Sequence, residues 1–289
     1  MAAMSDPRQA GTAAVTGAGG YIGGIVGTAL AADGFQVIRL VRRPEAGSSD
    51  RLYDLRRDLD ASLLEGVDTL IHCAYDFSVT SEADIWAVNV VGTRRLLEAA
   101  AASGVRRTIL VSSMSAYPGT DQLYGRAKLD TERTALDLGM VVVRLGLVYG
   151  PGWGGMIGSL KKMANLPLVP IVGARSYQYT VHEEDLAGAF VVLAHASELP
   201  KIPLGLANPE PVPFRLLMER IAVAAGHPRP RLIRIPWRPL YAALRLGERT
   251  PVKLPFRADS LLGLVRPAPG VYGAEEVRGL GIPLRPFAL

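Results

Sequence analysis

The chain has 289 residues, of which 49% are apolar and 20% charged, proportions typical of a globular protein that buries a sizeable core. Its net charge of +5 favours an anionic small molecule over nucleic acid, because the N-terminal half has no basic stripe interleaved with aromatic residues. Cys73 is the single cysteine, which excludes a disulfide framework and a cysteine-based zinc site and fits a cytoplasmic protein. We expect neither a signal peptide nor a transmembrane segment, since the sequence shows no suitable apolar run.

The first predicted element is a short apolar strand, residues 13–15, that leads into a glycine-rich turn and then a helix. The turn reads Thr16-Gly17-Ala18-Gly19-Gly20-Tyr21-Ile22-Gly23. The free N–H groups and the dipole at the start of that helix favour an anion such as phosphate. The spacing of Gly17, Gly20 and Gly23 differs from the usual G-x-G-x-x-G pattern, yet it also allows a tight turn and a close approach to pyrophosphate. Taken alone, the turn supports a dinucleotide site and a turn without a ligand equally.

The second predicted strand, residues 36–41, is followed by Arg42-Arg43. In a dinucleotide-binding fold the end of this strand faces the adenosine ribose, and an acidic residue there holds the 2′-hydroxyl of NAD. Two arginines occupy this place here, and a guanidinium suits the 2′-phosphate of NADP. NADP is therefore the favoured cofactor, with NAD as the alternative. The alternative without a ligand is a pair of solvated loop arginines.

Strands and helices continue to alternate along the chain. Buried strands are predicted at residues 67–74, 108–113 and 141–145, and a long helix at residues 82–103. This alternation predicts an α/β fold with a Rossmann-type, doubly wound parallel sheet that is covered by helices on both faces. The ligand cleft of such a sheet lies at the carboxyl ends of its strands, where the glycines, Arg42 and Ser113 fall.

Tyr124 and Lys128 form a second candidate site. They are four residues apart in a helix predicted to run to about Leu138, so both side chains share one face. An ammonium group stabilises a neighbouring phenolate, and we expect Lys128 to lower the pKa of Tyr124. The alternative is a chance Tyr–Lys pair on an exposed helix, but the preceding strand, which ends at Ser113, favours a proton-transfer site.

The pattern loosens after residue 151. Helices are predicted at residues 156–166 and 218–225, prolines interrupt residues 167–172, and residues 177–181 form a short strand. His182 and the three acids after it could bind a metal, but adjacent side chains do not converge on one point. We therefore expect a helix start there and no metal site.

An arginine-rich segment, residues 229–257, follows in the C-terminal part. It could contact a membrane surface or hold an anionic substrate. The favoured interpretation is a solvated basic face over an apolar stripe that contains Trp237, Tyr241 and Leu244.

Together these motifs resemble the extended short-chain dehydrogenase/reductase family, the NAD(P)-dependent epimerase/dehydratase group, over roughly residues 13–194. The resemblance implies that the glycine turn, a pair that contacts adenine, a strand end that passes the ribose, and a central-helix signature form the cofactor site. With Arg42 and Arg43, the implied cofactor-binding residues are Gly17, Gly19, Gly20, Tyr21, Ile22, Gly23, Asp58, Leu59, Cys73, Ala74, Tyr75, Asn89 and Lys128.

The resemblance also implies the chemistry. Ser113, Tyr124 and Lys128 match the catalytic set of the family. Tyr124 would give or take a proton at the substrate oxygen, Ser113 would hydrogen-bond that oxygen, and Lys128 would hold the nicotinamide ribose. Because the hydride chemistry belongs to the cofactor, we expect an NAD(P)-dependent oxidoreductase that acts on a carbonyl/alcohol pair, in a small carbonyl compound or a nucleotide sugar.

Two alternatives stay open: a nucleotide-sugar epimerase that oxidises and re-reduces its substrate, and a non-catalytic NADP-binding regulatory subunit. The complete catalytic set argues against the second. Gln178-Tyr179 stand where family epimerases often have Arg-Asp, and no acid follows Ser113 directly, which disfavours a dehydratase.

We expect residues 10–175, with a returning segment at about 176–200, to form the cofactor-binding domain. Residues 201–289 would form a smaller substrate-binding region. By analogy with relatives, helices at residues 82–103 and 130–138 could pair in a homodimer.

Overall fold

The computed structural model describes residues 11–173, 176–227, 230–248 and 257–289. The strands are β1 (Thr12–Thr16), β2 (Gln36–Val41), β3 (Arg51–Leu52), β4 (Thr69–His72), β5 (Arg107–Ser113), β6 (Val141–Leu145), β7 (Leu147–Tyr149), β8 (Val169–Val172), β9 (Tyr177–Gln178), β10 (Thr180–His182), β11 (Leu204–Leu206), β12 (Val212–Pro213) and β13 (Leu232–Ile235). The helices are α1 (Tyr21–Ala32), α2 (Glu82–Ile85), α3 (Val91–Ala102), α4 (Leu123–Asp137), α5 (Gly155–Ala164), α6 (Glu183–His195), α7 (Phe214–Ala224), α8 (Trp237–Gly247), α9 (Ala258–Val265) and α10 (Ala274–Gly279).

Seven strands form one sheet in the order β11-β6-β5-β4-β1-β2-β3. Every pairing within it is parallel. From β1 the chain continues to β2 and β3 on one side, and then to β4, β5 and β6 on the other. The predicted doubly wound parallel sheet is confirmed, and the reversal beside β1 is the point at which such sheets bind ligands.

The strand register brings three candidate segments to one edge of the sheet. Thr16, the last residue of β1, lies opposite Leu40 of β2 and His72 of β4. The glycine turn, Arg42 and the segment after β4 therefore leave the sheet at neighbouring points.

Helices cover both faces of the sheet. Ala13 and Val15 of β1 pack in a core with α1 and α6, whereas Ala14 packs in the opposite core with α3 and α4. This division follows from the period of two along a strand, which sends successive side chains to opposite faces. A third core combines apolar residues of α5, α7, α9 and β8 with partly buried residues of α8.

Two predicted segments differ in detail from the observed elements. The helix expected at residues 82–103 is present, but a π-helical segment, Trp86–Val90, separates α2 from α3 and carries the buried Asn89. Residues 167–172, expected to be interrupted by prolines, contain the strand β8, which pairs with β13. Pro170 is tolerated because that sheet has two strands, so each strand keeps an open edge where a missing N–H costs little.

The C-terminal expectations agree with the described residues. His182 precedes α6, and its Nδ1 accepts a hydrogen bond from the Glu184 amide at 3.2 Å, as expected of a helix start. Trp237, Tyr241 and Leu244 of α8 pack against the third core, whereas residues 228–229 and 249–256 of the arginine-rich region lie outside the described residues.

The division of the chain at residue 201 stays a prediction. The strand β11, which follows that position, belongs to the large parallel sheet. Across the described ranges, no helix combines the length and the apolar character that crossing a bilayer requires.

Candidate active site

The glycine turn connects β1 to α1 at the reversal point of the sheet. Gly17 has φ +64°, in the left-handed region that favours glycine, and its amide donates to the Leu40 carbonyl at 3.2 Å. A Cβ on Gly23 would lie 2.3 Å from the Gly17 carbonyl oxygen, so the helix packs directly on the turn only because this residue is glycine. Gly19 is exposed, and no described atom lies within 4 Å of the place its Cβ would take.

The start of α1 is suited to an anion. Gly20, which precedes the helix, provides no side-chain cap, and the first turn of α1 contains no acidic residue. The N–H groups of that turn therefore keep their capacity to donate, and the helix dipole adds partial positive charge. The turn thus fits the pyrophosphate of a dinucleotide. The glycine spacing alone did not distinguish such a site from a turn without a ligand.

The hydroxyl of Thr16 joins β1 to the chain after β4, directly before the turn. Its oxygen accepts hydrogen bonds from the amides of Cys73 and Ala74, both at 3.0 Å. With both lone pairs occupied, the hydroxyl donates its hydrogen to His72 Nδ1 at 2.8 Å. His72 Nε2 then carries the ring hydrogen and donates to the Thr93 hydroxyl at 2.9 Å. Burial lowers the pKa of His72 to about 3, so the ring is neutral, as this chain of bonds requires.

The segment after β4 lies between the glycine turn and α4. A Cβ on Gly17 would be 3.1 Å from the Ala74 Cα, which shows how closely the two segments approach. Burial raises the pKa of Cys73 to about 12, so its thiol is uncharged. Tyr75 packs edge-on against Tyr124, with ring centroids 4.9 Å apart. The structure therefore brings Cys73, Ala74 and Tyr75 together with both predicted sites.

Asn89 fixes the next residue of this segment. Its side chain accepts a hydrogen bond from the Asp76 amide at 2.6 Å and donates to the Asp76 carbonyl at 3.2 Å. The Asp76 carboxylate pairs with Arg56 at 2.7 Å. Burial opposes its ionisation, but hydrogen bonds from Ser78 and the charges of Arg56 and Arg42 hold the pKa of Asp76 below its ordinary value.

Three other residues proposed to contact the cofactor, Arg42, Arg43 and Asp58, are exposed to solvent. Arg42 and Arg43 are exposed, and neither side chain makes a hydrogen bond or an ion pair within the described ranges. Asp58 is also exposed and pairs with Arg95 of α3 at 2.9 Å, while Leu59 is partly buried in the core on that side of the sheet. The phosphate contact of the two arginines and the adenine contact of Asp58 and Leu59 stay predictions.

Ser113 ends β5, and Tyr124 and Lys128 lie one turn apart on α4. Lys128 is buried, and its Nζ donates to the Val111 carbonyl at 2.8 Å. The same nitrogen is 5.2 Å from the ring centroid of Tyr75 and 5.9 Å from that of Tyr124. Burial lowers the pKa of Lys128 to about 8. The three proposed catalytic residues therefore meet at one place.

The protonation of Tyr124 differs from the sequence-based expectation. Burial raises its pKa to about 12, a side-chain hydrogen bond with Ser113 acts in the opposite direction, and the charge of Asp259 adds to the rise. The expectation that the pKa of Tyr124 is lowered overall is wrong, since removal of the phenol from water dominates over the neighbouring Lys128, whose ammonium donates to a carbonyl. Tyr124 is a neutral phenol at neutral pH.

A buried ion pair anchors α4 to β6 behind the three residues. Arg144 Nη2 and Nε donate to the Glu132 carboxylate at 2.6 and 2.9 Å. The Ser112 hydroxyl donates to the same carboxylate. A bidentate pair of this kind holds its two elements in a defined geometry. The middle of α4, which contains Lys128, is therefore fixed to the sheet.

Two contacts at the site were not predicted from the sequence. The Tyr21 hydroxyl donates to Glu183 at 2.5 Å and so links the starts of α1 and α6. Asp259 of α9 accepts hydrogen bonds from the amides of Leu123 at 2.7 Å and Tyr124 at 3.2 Å. Glu183 is 162 residues from Tyr21, and Asp259 is 136 residues from Leu123 and 135 from Tyr124. The sequence signal was only an acid in the first turn of a helix, which does not identify a distant partner.

The doubly wound sheet, with an open glycine turn at its reversal point, defines an NAD(P)-dependent enzyme of the extended short-chain dehydrogenase/reductase type. Residues 13–202 match the model of the NAD-dependent epimerase/dehydratase family, and the chain belongs to that family. The expected family and enzyme class are thereby confirmed.

Similar proteins include two reductases and a solved structure with bound NAD. The ceramide reductase of Caulobacter vibrioides is 30% identical over 242 residues, which cover 78% of this chain and 74% of that protein. The dTDP-4-dehydro-6-deoxy-D-allose reductase of Streptomyces bikiniensis is 29% identical, with coverage of 86% and 91%. The structure of MoeE5 in complex with UDP-glucose and NAD is 27% identical, with a TM-score of 0.66 and coverage of 78% and 85%.

The Thr16 hydroxyl yields a stability prediction. Thr16→Val should lower the free energy of unfolding by about 2–4 kcal/mol, because it leaves two buried amides and a ring nitrogen without a partner. Thr16→Ser keeps the hydroxyl and should cost about 1 kcal/mol, the price of one methyl group. Urea unfolding followed by circular dichroism measures both. Equal losses in the two variants would show that the hydroxyl contributes no net stability.

Proposed function

We propose that the chain is an NADP-dependent reductase that converts a carbonyl group into an alcohol. The observation that carries this proposal is the partly buried phenol of Tyr124, which removal from water keeps protonated at neutral pH, beside Ser113 and one helical turn from Lys128. A protonated phenol next to a hydrogen-bonding hydroxyl is the form that can donate a proton to a carbonyl oxygen.

The residues around the reversal point would hold the cofactor. Gly19, Gly20 and the first turn of α1 would bind the pyrophosphate, and Lys128 would bind the nicotinamide ribose. When bound, the nicotinamide supplies the hydride that is added to the carbonyl carbon. The other residues proposed for this site are Gly17, Tyr21, Ile22, Gly23, Asp58, Leu59, Cys73, Ala74, Tyr75 and Asn89.

The proton step belongs to side chains of this chain. The Tyr124 hydroxyl gives its hydrogen to the substrate oxygen, so that a new O–H bond forms as the C=O π bond is lost. Ser113 hydrogen-bonds that oxygen and holds it near the phenol. The phenolate left on Tyr124 is stabilised by Ser113 and by the ammonium of Lys128, and a proton from water restores the phenol. Orientation of the oxygen between two hydroxyls is the main contribution of the protein.

The protonation of Tyr124 supports reduction over the oxidative half-reaction that an epimerase needs. Oxidation of an alcohol requires the phenolate, which a pKa of about 12 makes scarce at neutral pH. Two relatives carry the name of a reductase. Gln178 and Tyr179, shortly before α6, also stand where many nucleotide-sugar epimerases are expected to have an Arg-Asp pair.

The arginines after β2 support NADP. Arg42 and Arg43 are exposed at the end of the strand beside the glycine turn, and within the described ranges neither side chain makes a hydrogen bond or an ion pair. A guanidinium binds a phosphate in a bidentate manner. The acidic residue that would hold the ribose 2′-hydroxyl of NAD is not found at positions 42 and 43, which are both arginine.

The aromatic surface beside Tyr124 supports a substrate with an apolar part. Phe77 is 61% exposed, and its ring lies 4.8 Å from Tyr75 and 5.7 Å from Tyr124 between centroids. An exposed phenyl ring at this place can cover an apolar group next to the reacting carbonyl. Aryl and long-chain ketones therefore come first in an activity panel, and nucleotide 4-ketosugars come second.

Replacement of the proposed proton donor tests the function. Tyr124→Phe should lower kcat for ketone reduction by on the order of 10²- to 10⁴-fold, because a phenyl ring has no hydroxyl to give a proton to the oxygen, with KM for NADPH changed less than about twofold. NADPH absorbance measures the rate. Tyr272→Phe, at an exposed tyrosine, is the control and should keep full activity. Turnover retained in Tyr124→Phe, or isomerised product with unchanged NADPH in the wild type, would contradict the reductase proposal.

Reduction and oxidation should respond to pH in opposite directions. Between pH 8 and 10 the rate of alcohol oxidation should rise by about tenfold per unit, because the phenolate of Tyr124 becomes more abundant below its pKa of about 12. Reduction should decline as pH rises through about 8, where Lys128 loses its positive charge. Initial rates in both directions give the two profiles. An oxidation rate independent of pH would exclude Tyr124 as the base.

Cofactor preference tests the arginines after β2. Arg42→Asp should weaken NADPH binding by about 10- to 100-fold and NADH binding by less than about threefold, because only NADPH carries the 2′-phosphate. Fluorescence titration measures both dissociation constants. Arg215→Asp, on the exposed face of α7, controls for the change in net charge. Equal losses for the two cofactors would refute the 2′-phosphate role.

A further inference from the structure

The helix that carries Tyr124 has no cap from its own neighbourhood. The first N–H groups of an α-helix have no intrahelical partner and are usually satisfied by a side chain of the preceding residue. Gln122 occupies that position before α4 and forms no side-chain cap. Instead, Asp259 Oδ1 accepts a hydrogen bond from the Leu123 amide at 2.7 Å, and Oδ2 accepts one from the Tyr124 amide at 3.2 Å.

The helix α9 is itself fixed across this end of α4. A Cβ on Gly263 would lie 2.9 Å from Gln122 Nε2, so α9 approaches the start of α4 closely. Arg266, directly after α9, forms an ion pair with Asp121, and its carbonyl accepts a hydrogen bond from the Tyr117 hydroxyl at 3.0 Å. The cap is therefore delivered by a segment that is held at several points.

The start of α9 also reaches the aromatic surface beside Tyr124. The Arg257 Nη1 donates to the Phe77 carbonyl at 3.3 Å. The amide of Ala258 donates to Glu248 Oε1 at 2.8 Å, which caps α9 in turn. Residues 257–266 thus touch both the loop that carries Phe77 and the helix that carries Tyr124.

We propose that Asp259 is a positioning residue, which holds the first turn of α4 and thereby sets the place of the Tyr124 hydroxyl relative to Ser113. The carboxylate bonds to the amide of the catalytic tyrosine itself, so a shift of this cap moves the backbone from which the phenol extends. Lys128, one turn further along, is fixed separately through the Val111 carbonyl. Loss of the cap should therefore misplace the proton donor and leave the cofactor-side lysine in place.

A carboxyl group that accepts two backbone hydrogen bonds suits this role. Burial raises the pKa of Asp259 above its ordinary value and Glu248 adds to the rise, whereas the two backbone N–H groups and Arg257 act in the opposite direction. A carboxylate at a helix N-terminus is also favoured by the helix dipole. The same charge lies close enough to raise the pKa of Tyr124, and so it helps to keep the phenol protonated.

The test, which rests on the proposed reductase activity, measures kcat and KM for NADPH-dependent ketone reduction. Asp259→Ala should lower kcat by on the order of 10- to 100-fold, since a displacement of about 1 Å at the reacting atoms has effects of this size. KM for NADPH should change less than about twofold. Asp259→Asn, which keeps one acceptor oxygen, should lose less than Asp259→Ala. Glu275→Gln removes an exposed first-turn acid from α10 and should match the wild type.

Rescue separates positioning from general destabilisation. Gln122→Asp supplies a cap from the local N-cap position, where the backbone is already extended with φ −74° and ψ 125°. In the Asp259→Ala background it should restore kcat to within about threefold of the wild type. Should Asp259→Ala fail to fold, the same comparison is made between Asp259→Asn and Gln122→Asp/Asp259→Asn. Unchanged kcat in the folded variants, or no recovery in the double variant, would overturn the proposal.

Hydrogen exchange shows whether the helix cap or the proposed reductase activity has failed. The Leu123 and Tyr124 amides should exchange at least about tenfold faster in Asp259→Asn than in the wild type, and Gln122→Asp should restore their protection. This readout requires no turnover. A wild type without reductase activity but with faster exchange in the variant would refute the proposed function alone, whereas unchanged exchange would refute the cap.

Discussion

The hydroxyl of Thr16 determines how the two strand ends at the centre of the sheet meet. It bonds to the amides of Cys73 and Ala74 and to the ring of His72, so β1 and β4 end at a fixed separation. The glycine turn begins at the residue after Thr16. The segment after β4, which is proposed to pass the cofactor ribose, begins at Cys73 and Ala74, the residues whose amides bond to Thr16. Through the neutral His72 ring the same chain of hydrogen bonds reaches Thr93 on α3. Both walls of the proposed cofactor site therefore depend on one buried side chain that no pattern of glycines reveals.

Burial around Tyr124 sets the chemistry that the site can perform. It moves the pKa of the phenol up to about 12 and the pKa of Lys128 down to about 8. Both shifts favour the neutral form, because removal from water penalises charge of either sign. The resting site is therefore not a phenolate beside an ammonium. In the proposed reaction, negative charge would arise on Tyr124 only when its proton is transferred, and Ser113 and Lys128 would stabilise it at that moment.

The fold was predictable from the sequence because it depends on local patterns. Apolar runs such as residues 13–15 and 141–145 mark buried parallel strands, and the glycine turn and Arg42 follow strand ends that the topology brings together. The sign of the Tyr124 pKa shift was not predictable, since spacing gives the distance to Lys128 but not the extent of burial. The contact of Glu183 with Tyr21 and the cap from Asp259 were missed because tertiary packing alone chooses such distant partners. The two-residue strand β3 is too short to leave a pattern.

The beginning and the middle of α4 are held by different parts of the molecule. Its middle is joined to the large sheet through Glu132 and Arg144 and through the bond from Lys128 to Val111. Its beginning is joined to α9, whose apolar side belongs to the third core. The lysine proposed to face the cofactor is thus fixed by the sheet that forms the cofactor site, whereas the tyrosine proposed to face the substrate is fixed by the C-terminal segment. In this arrangement a change in the C-terminal segment that removes the support for the start of α4 should shift the proposed proton donor, because Asp259 holds the Leu123 and Tyr124 amides.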